Sequence, residues 1–242
     1  MERFSRIERL IGEDKLARLQ DRLVTIVGLG AVGGYALEGL ARSGIRHFRL
    51  IDFDVICLEN INRQILALES TLGLTKTKAA SCRVKEINPG CEVEELNLFA
   101  DQQSLQQILS PKPDLLIDAI DTIGPKIELL AGAWQQGVPV ISSMGAALRT
   151  DSAQIRTADL FETSQCPLAR RIRKKLRGRG IGQGITCVYS LEEVHSGYQK
   201  QRPDSRDEEP GGGKRIMGSL PTITAIFGLT MANLALARLA DG

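Results

Sequence analysis

Three glycines at a fixed spacing are the first residues whose arrangement suggests chemistry. Gly28, Gly30 and Gly33 follow the apolar run 23–27 with G-x-G-x-x-G spacing, and the small-residue run 31–41 comes next. In a nucleotide-binding βαβ unit such glycines permit the tight turn, the approach of a phosphate to bare backbone, and close contact between helix and strand. The N–H groups at the start of the helix then favour an anion. The motif therefore predicts a phosphate-binding turn.

Polar residues after the second predicted strand extend this site. The run 47–51 ends at Asp52, about twenty residues beyond the glycines, where an acid of this fold takes the ribose hydroxyls. Further polar side chains follow before and at the start of the next helix: Asp54, Asn62, Arg63, Gln64 and Lys76. A nicotinamide site has no need for this arginine and lysine. A triphosphate attacked at its α-phosphate does need cations to offset the growing charge, so the segment predicts an ATP site.

Acidic residues also follow the apolar run 114–120, which contains Asp118 and leads to Asp121. Ligands bind α/β sheets outside the carboxyl ends of the strands, so both carboxylates are expected near the nucleotide. Asp121 also precedes Gly124 and Pro125 at the start of a predicted helix. A helix N-cap is therefore an alternative role for Asp121, and the two roles are compatible.

A basic segment lies between residues 168 and 179. Leu168, Ile172 and Leu176 recur at helical spacing, which predicts a helix with one packed face. Its cations are Arg170, Arg171, Arg173, Lys174, Lys175, Arg177 and Arg179. Such a helix can follow RNA phosphates with salt-sensitive affinity, or it can be a solvated basic face, and the residues alone leave both open.

The remaining pattern predicts an α/β chain with a Rossmann-like nucleotide-binding fold in one domain, 1–242. Strands are predicted at 92–98, 114–120, 138–142 and 185–189, and helices at 77–87 and 102–109. Alternation around 153–157 predicts that the mainly parallel sheet becomes mixed in its C-terminal half. The polar run 195–214 is predicted to be a flexible loop.

Composition narrows the class of protein. The chain has 242 residues, of which 43% are hydrophobic, and a net charge of only +2, so any nucleic-acid contact must be local. The N-terminal segment has no basic leader followed by an apolar core, which predicts a cytoplasmic protein. The apolar run 222–240 is interrupted by Asn233 and Arg238, so a buried or dimer-interface helix is expected there rather than a membrane span.

The cysteines are few and scattered. Five are present, with no C-x-x-C pair, and an odd number argues against a complete disulfide framework. Cys187 lies inside a predicted strand and is interpreted as a small core residue. Reduced thiols without a catalytic role are the expectation.

Several of these motifs together resemble those of the E1-like activating enzymes, the superfamily of ubiquitin-activating, ThiF and MoeB proteins. The motifs are GLGAVGGYALEGLARSGI, LIDFD, ENINRQI, GLTKTKA and LIDAIDT. Within it, the chain is more similar to the tRNA threonylcarbamoyladenosine dehydratases, because RFSRIERLIG, QCPLARRIRKKL, ITCVYSLEE and GSLPTITAIFGL also match. This resemblance covers nearly the whole chain.

The resemblance implies roles for individual residues. Asp121 is expected to associate with Mg²⁺ through ATP, while Asp118 orients loop backbone. Arg3 to Arg6 match the R-[FY]-x-R element of E1-like homodimers, in which one arginine acts in the partner's site, and Arg6 is preferred over Arg3. ThiF-like and MoeB-like relatives carry two C-x-x-C pairs on a structural zinc; both pairs are missing here, so no structural zinc is expected.

The implied activity is ATP-dependent dehydration of N6-threonylcarbamoyladenosine at position 37 of tRNA, through an acyl-adenylate, to give the cyclic form. Three alternatives remain: adenylation of a ubiquitin-like sulfur-carrier C-terminus, a nicotinamide-dependent oxidoreductase, and a noncatalytic nucleotide-binding adaptor. The basic helix and the missing zinc pairs weigh against the first. Arg63 and Lys76 have no role in the second, and their presence argues against the third. Association with a sulfur-transfer protein is left open.

Overall fold

The first nucleotide-binding unit forms as the motif predicts. In the computed structural model, which describes residues 2–194 and 217–241, strand β1 spans Leu23–Val27, helix α3 spans Gly33–Arg42 and strand β2 spans His47–Ile51. Strands β1 and β2 pair in parallel, with Leu23 opposite His47. The helix begins at the third motif glycine, because the residues before it form the turn.

The units that follow add three strands and three helices to the same sheet. Their bounds are α4 Lys76–Ile87, β3 Glu92–Leu96, α5 Leu105–Leu109, β4 Leu115–Asp118, α6 Ile123–Gln135 and β5 Val140–Ser143. Helix α5 is shorter than predicted because Asp101 accepts hydrogen bonds from the N–H groups of Gln103 and Ser104, both at 2.9 Å, and so holds a turn there. Strand β4 ends at Asp118, and the loop that follows belongs to the candidate site.

The C-terminal half completes a seven-stranded sheet. Strand β6 (Ile155–Asp159), helix α7 (Pro167–Arg177) and strand β7 (Thr186–Ser190) follow in the chain, and the strand order is β3-β2-β1-β4-β5-β7-β6. All neighbours pair in parallel except β6, which is antiparallel to β7. The predicted α/β class and the change to a mixed sheet are confirmed. The predicted flexible loop, 195–214, lies outside the described residues.

A long C-terminal helix packs against the helix of the nucleotide-binding unit. Helix α8 spans Pro221–Asp241 and packs on α3, where a Cβ added to Gly228 would lie 2.3 Å from the carbonyl oxygen of Val32. Among the described helices, α8 alone is long and apolar enough to cross a membrane, and half of that apolar window is buried within the chain. Two short helices, α1 (Ser5–Ile11) and α2 (Glu13–Gln20), precede β1.

Candidate active site

The three motif glycines are needed for different structural reasons. Gly28 has φ +91°, and a Cβ there would lie 2.8 Å from the carbonyl oxygen of Ala119. A Cβ on Gly33 would lie 1.8 Å from the carbonyl oxygen of Gly28, so the helix cannot approach the turn with any side chain there. At Gly30 a Cβ would meet only the Nε2 atom of Gln64, at 3.9 Å. Protein contacts therefore explain Gly28 and Gly33 but not Gly30, as expected if a phosphate approaches the backbone there.

Asp52 holds the glycine turn. It is 8% exposed, its Oδ2 accepts the N–H of Leu29 at 2.7 Å, and its Oδ1 accepts the N–H of Asp54 at 2.9 Å. A carboxylate oxygen accepts more than one hydrogen bond, so the predicted contact with ribose hydroxyls is compatible with both. The structure adds a backbone-positioning role that the sequence motif alone did not identify.

Lys76 is the first residue of α4 and lies beside the end of β2. Its Nζ pairs with Asp54 Oδ2 at 2.7 Å, and its N–H donates to the carbonyl of Asp54 at 3.0 Å. The lysine side chain is 8% exposed and that of Asp54 is 47% exposed. Thr75 caps the helix by accepting the N–H of Lys78 at 3.2 Å. The predicted acid and base thus form one pair beside the glycine turn.

The loop before α4 carries Arg63 and Gln64. The guanidinium of Arg63 donates to the carbonyl of Glu59 at 2.8 Å and to Asn62 Oδ1 at 2.9 Å. Gln64 is buried, and its Oε1 has no hydrogen-bond partner within the described residues. A buried amide with unused hydrogen-bonding capacity, beside the bare backbone of Gly30, fits a polar ligand at the turn.

A buried ion pair fixes the loop after β4. Asp118 accepts hydrogen bonds from the N–H of Ile120 at 3.1 Å and the hydroxyl of Ser142 at 2.6 Å, and it pairs with Lys126 Nζ at 2.7 Å. Lys126 also donates to the carbonyl of Ile120 at 2.9 Å, and both charged side chains are fully buried. The interpretation that Asp118 orients loop backbone is confirmed. Sequence reasoning missed Lys126 and Ser142; the signal was a lysine amid the apolar residues of α6.

Asp121 lies at the exposed end of this loop. Its Oδ1 accepts the hydroxyl hydrogen of Thr122 at 2.9 Å. Thr122, rather than Asp121, occupies the N-cap position of α6, so the N-cap alternative for Asp121 is wrong. Within residues 2–194 and 217–241, no group of three or more His, Cys, Asp or Glu side chains is arranged to hold a metal ion.

The two N-terminal arginines have different surroundings. Arg3 donates to the carbonyl of Ile87, at the C-terminal end of α4, at a distance of 2.9 Å. Arg6 is exposed and, within the part of the chain that the structure describes, makes no hydrogen bond or ion pair. Because α4 carries Lys76 at its opposite end, its twelve residues separate Arg3 from the lysine by about 16 Å along the helix. The structure therefore places Arg3 at the end of α4 away from Lys76, and Arg6 lies in the helix that follows Arg3.

The cations of the basic helix α7 differ in their contacts and exposure. Ala169, Ile172 and Leu176 form its buried face. Arg173 turns inward and donates to the carbonyl of Leu160 and the hydroxyl of Thr163. The guanidinium of Arg177 lies 5.6 Å from the ring centroid of Phe161. Arg177 is nevertheless exposed, as are the other predicted RNA contacts: Arg170, Arg171, Lys174 and Lys175.

Cys187 is a core residue, as interpreted from the sequence. It is fully buried in β7, and burial, with Cys166 nearby, raises its pKa to about 12. A thiol with such a pKa is not a nucleophile at neutral pH. The described site therefore offers no thiol for covalent catalysis through this residue.

Known proteins resemble the chain over most of its length. The ThiF family model matches residues 4–241. The tRNA threonylcarbamoyladenosine dehydratase of Bacillus subtilis is 40% identical over 192 residues, which cover 79% of this chain and 76% of that protein. The tRNA threonylcarbamoyladenosine dehydratase 2 of Saccharomyces cerevisiae is 35% identical over 245 residues, covering 96% of this chain but only 55% of that protein. The chain thus spans about half the length of the yeast relative.

The fold matches a solved relative that holds nucleotide. The crystal structure of the Escherichia coli tRNA N6-threonylcarbamoyladenosine dehydratase TcdA in complex with ATP superimposes with a TM-score of 0.88 at 34% identity, covering 99% of this chain and 94% of that one. The molybdopterin-synthase adenylyltransferase of Escherichia coli matches less of the chain, 70% at 34% identity. The resemblance drawn from the motifs is confirmed, and the chain belongs to the ThiF family.

Proposed function

We propose that this protein is an ATP-dependent tRNA threonylcarbamoyladenosine dehydratase. The observation that carries the proposal is the likeness, over 99% of the chain, to a dehydratase solved with ATP. The bare backbone of Gly30 beside the unpartnered Gln64 amide supports nucleotide binding at the same turn. The substrate is the threonyl carboxylate of N6-threonylcarbamoyladenosine at position 37 of tRNA.

Adenylation solves the chemical problem of this substrate. A carboxylate is a poor electrophile because its leaving group would be oxide. Attack of a carboxylate oxygen on the α-phosphorus of ATP forms an acyl-adenylate and releases pyrophosphate. Negative charge grows on the phosphates during this step, and nearby cations stabilise it. Arg63 and Lys76, which the fold holds in the loop and helix beside the glycine turn, supply such charge.

Ring closure then requires no nucleophile from the enzyme. A nitrogen or oxygen of the substrate's own carbamoyl group attacks the activated carbonyl and displaces AMP, which carries away the oxygen atom lost in the dehydration. The reacting groups are already tethered, so the step is intramolecular and fast. The sum converts substrate and ATP to the cyclic nucleoside, AMP and pyrophosphate. The inert thiol of Cys187 is consistent with this route.

Magnesium enters with ATP. A carboxylate suits this ion, which prefers oxygen ligands and substrate phosphates, and Asp121 is an exposed carboxylate at the carboxyl end of β4. When bound, Mg²⁺ would neutralise phosphate charge. The buried Asp118–Lys126 pair holds the loop that carries Asp121, so the carboxylate is positioned before the nucleotide binds.

A homodimer completes the site in this proposal. Arg6 is exposed and makes no hydrogen bond or ion pair within the described part of its own chain, so its guanidinium would act in the site of a second copy. Large apolar side chains are exposed between β2 and α4, in the same region as Arg63: Phe53, Val55, Leu58, Leu68, Leu72 and Leu74. Apolar exposure of this kind is typical of protein interfaces. A cytoplasmic location accords with a tRNA substrate, and association with a sulfur-transfer protein stays a prediction.

The test is chemical. The purified protein is incubated with Mg²⁺-ATP and tRNA bearing the threonylcarbamoyl group, and the digested nucleosides are weighed. ATP-dependent loss of one water is expected from the wild type, and the Arg63→Ala variant should fold but form little AMP. An unchanged nucleoside, with ATP–pyrophosphate exchange only when a ubiquitin-like carrier protein is added, would assign the protein to carrier activation instead.

A further inference from the structure

A cavity of about 550 Å³ opens beside the basic helix. Its lining combines the N-terminal end of α6 with one side of α7 and the turn after it: Ile123, Arg171, Lys174, Lys175, Gly178 and Arg179. Four of these six residues are cations and none is acidic. Gly178 contributes no side chain, which leaves room within the ring of positive charge.

The charge of this cavity is only partly neutralised. Arg179 is paired with Glu128 of α6, and its guanidinium Nη1 lies 2.9 Å from Glu128 Oε2. That guanidinium holds the pKa of Glu128 below its usual range. At neutral pH both groups are therefore charged, and together they add no net charge to the cavity. Arg171, Lys174 and Lys175 have no ion pair within the described residues. Three uncompensated cations therefore line the space, and an anion is the ligand that fits them.

The lining of the cavity separates these cations from the others of α7. Arg171, Lys174 and Lys175 are three and four residues apart and share the side of the helix that faces α6. Arg170 and Arg177 do not line the cavity; they point further round the helix, and Arg177 covers the ring of Phe161. Arg173 is committed to Leu160 and Thr163. The basic run in the sequence thus contains cations that border the cavity and cations that do not.

The cavity borders the loop that carries Asp121. Ile123, on its wall, is the first residue of α6 and follows Asp121 by two positions. The loop before Ile123 contacts the glycine turn, where the carbonyl of Ala119 limits Gly28. A substrate anchored among the three cations by its backbone can present one nucleotide to the adenylation site.

We propose that the α6-facing side of α7, Arg171, Lys174 and Lys175, binds phosphodiester groups of the tRNA next to the modified nucleotide, whereas Arg170 and Arg177 do not. This inference rests on the proposed function for the identity of the RNA. Phosphate contacts of this kind position a substrate without reading its sequence, and each one releases counterions. The cavity therefore sets where the anticodon region lies relative to Asp121.

The test compares two double variants with the same change in net charge. Arg171→Gln with Lys174→Gln removes two cations from the cavity, and Arg170→Gln with Arg177→Gln removes two that do not line it. The first should weaken tRNA binding about tenfold or more, and the slope of log Kd against log salt should fall by about 1.4–1.8, as for two lost phosphate contacts. The second should keep Kd within about twofold. KM for ATP should not change in either.

Equal loss of tRNA affinity in both variants would overturn the inference, because it would show that total charge rather than the cavity matters. A raised KM for ATP in the first variant would also overturn it, since the cavity would then take the phosphates of ATP. Binding is measured without turnover, so these outcomes are independent of the dehydration assay. Failure of the wild type to dehydrate the nucleoside would contradict the proposed function alone.

Discussion

Two ion pairs on helix α6 stand only two residues apart along the chain and yet have different consequences. Lys126 pairs with Asp118, and neither side chain is exposed to solvent. Glu128 pairs with Arg179, and their side chains are 31% and 40% exposed. The buried pair fixes the loop at the nucleotide side of the site, while the exposed pair joins α6 to the basic cavity. Burial, not the presence of opposite charges, decides which pair determines the geometry.

The physical reason lies in solvation. An exposed pair is screened by water, and its formation contributes about 0–1 kcal/mol. A buried pair gains little over an apolar replacement of both partners, but loss of one partner leaves an uncompensated charge in the interior. Asp118 would then keep only the hydrogen bonds from Ser142 and Ile120. Replacing one partner of the Asp118–Lys126 pair should therefore destabilise the fold strongly, whereas replacing one partner of the Glu128–Arg179 pair should have little effect on stability.

The largest expected effect follows from Lys126→Met. This variant should lower the free energy of unfolding by about 3–5 kcal/mol, because Asp118 stays buried without its cation. The matched variant Arg179→Met should lower it by about 1 kcal/mol or less. Urea unfolding of both variants measures the difference.

Equal costs for these two variants would contradict the comparison. Lys126→Arg serves as a further control, because it retains the charge but not the size of the lysine. If the stability depends on a cation beside the buried Asp118, Lys126→Arg should lose less stability than Lys126→Met.

A smaller effect is expected from the glycine turn, where two alanine substitutions should separate folding from binding. Gly33→Ala should destabilise the fold by about 1–3 kcal/mol, since its Cβ would lie 1.8 Å from the carbonyl oxygen of Gly28. Gly30→Ala should leave the melting temperature nearly unchanged, because only Gln64 Nε2 lies near, at 3.9 Å, while ATP binds more weakly. Calorimetry of unfolding and of ATP binding tests both. Unchanged ATP affinity in Gly30→Ala would argue against phosphate approach at this residue.

The smallest expected effect concerns pH and the contact between α3 and α4. Burial raises the pKa of Glu38, but hydrogen bonds from Arg83 and Arg42 outweigh it and hold the pKa below its usual value of 4.5. Because the folded pKa is the lower one, the carboxylate's stabilisation is present above pH 4.5 and is lost as pH falls through the folded pKa. Glu38→Gln should cost about 1 kcal/mol near neutral pH and less at about pH 3.

Urea unfolding of wild type and Glu38→Gln at the two pH values measures this change. The exposed Glu69 offers a matched control, since Glu69→Gln should have little effect at either pH. A cost of Glu38→Gln that stays constant between the two conditions would show that the carboxylate's charge does not contribute.

The sequence predicted best what depends on neighbouring positions. The glycine turn, the strand that ends at Asp52 and the helix that starts at Lys76 all follow from local spacing, and each is present. The partners of Asp118 could not be predicted in this way. Lys126 lies eight residues away on the next helix, and Ser142 lies on the next strand, so their convergence depends on the packing of β4, β5 and α6.

The basic helix also has contacts that local spacing could not predict. Periodicity predicted a buried face, and Ile172 and Leu176 do form it. It did not show that Arg173 turns inward or that Arg171 and Lys174 border a cavity, because these depend on Thr163 and on the N-terminal end of α6. A charge pattern identifies candidate RNA contacts, whereas the neighbours of the helix decide which of them are available.

The contact between α8 and α3 has a consequence for synthesis on the ribosome. Every predicted nucleotide-binding residue precedes α8 in the chain, yet α3, which begins at the glycine turn, presses against Gly228 and Ala232 of that last helix. A nascent chain therefore carries a complete ATP motif on a helix whose apolar face is still uncovered. Cotranslational folding of the nucleotide site should be delayed until α8 emerges.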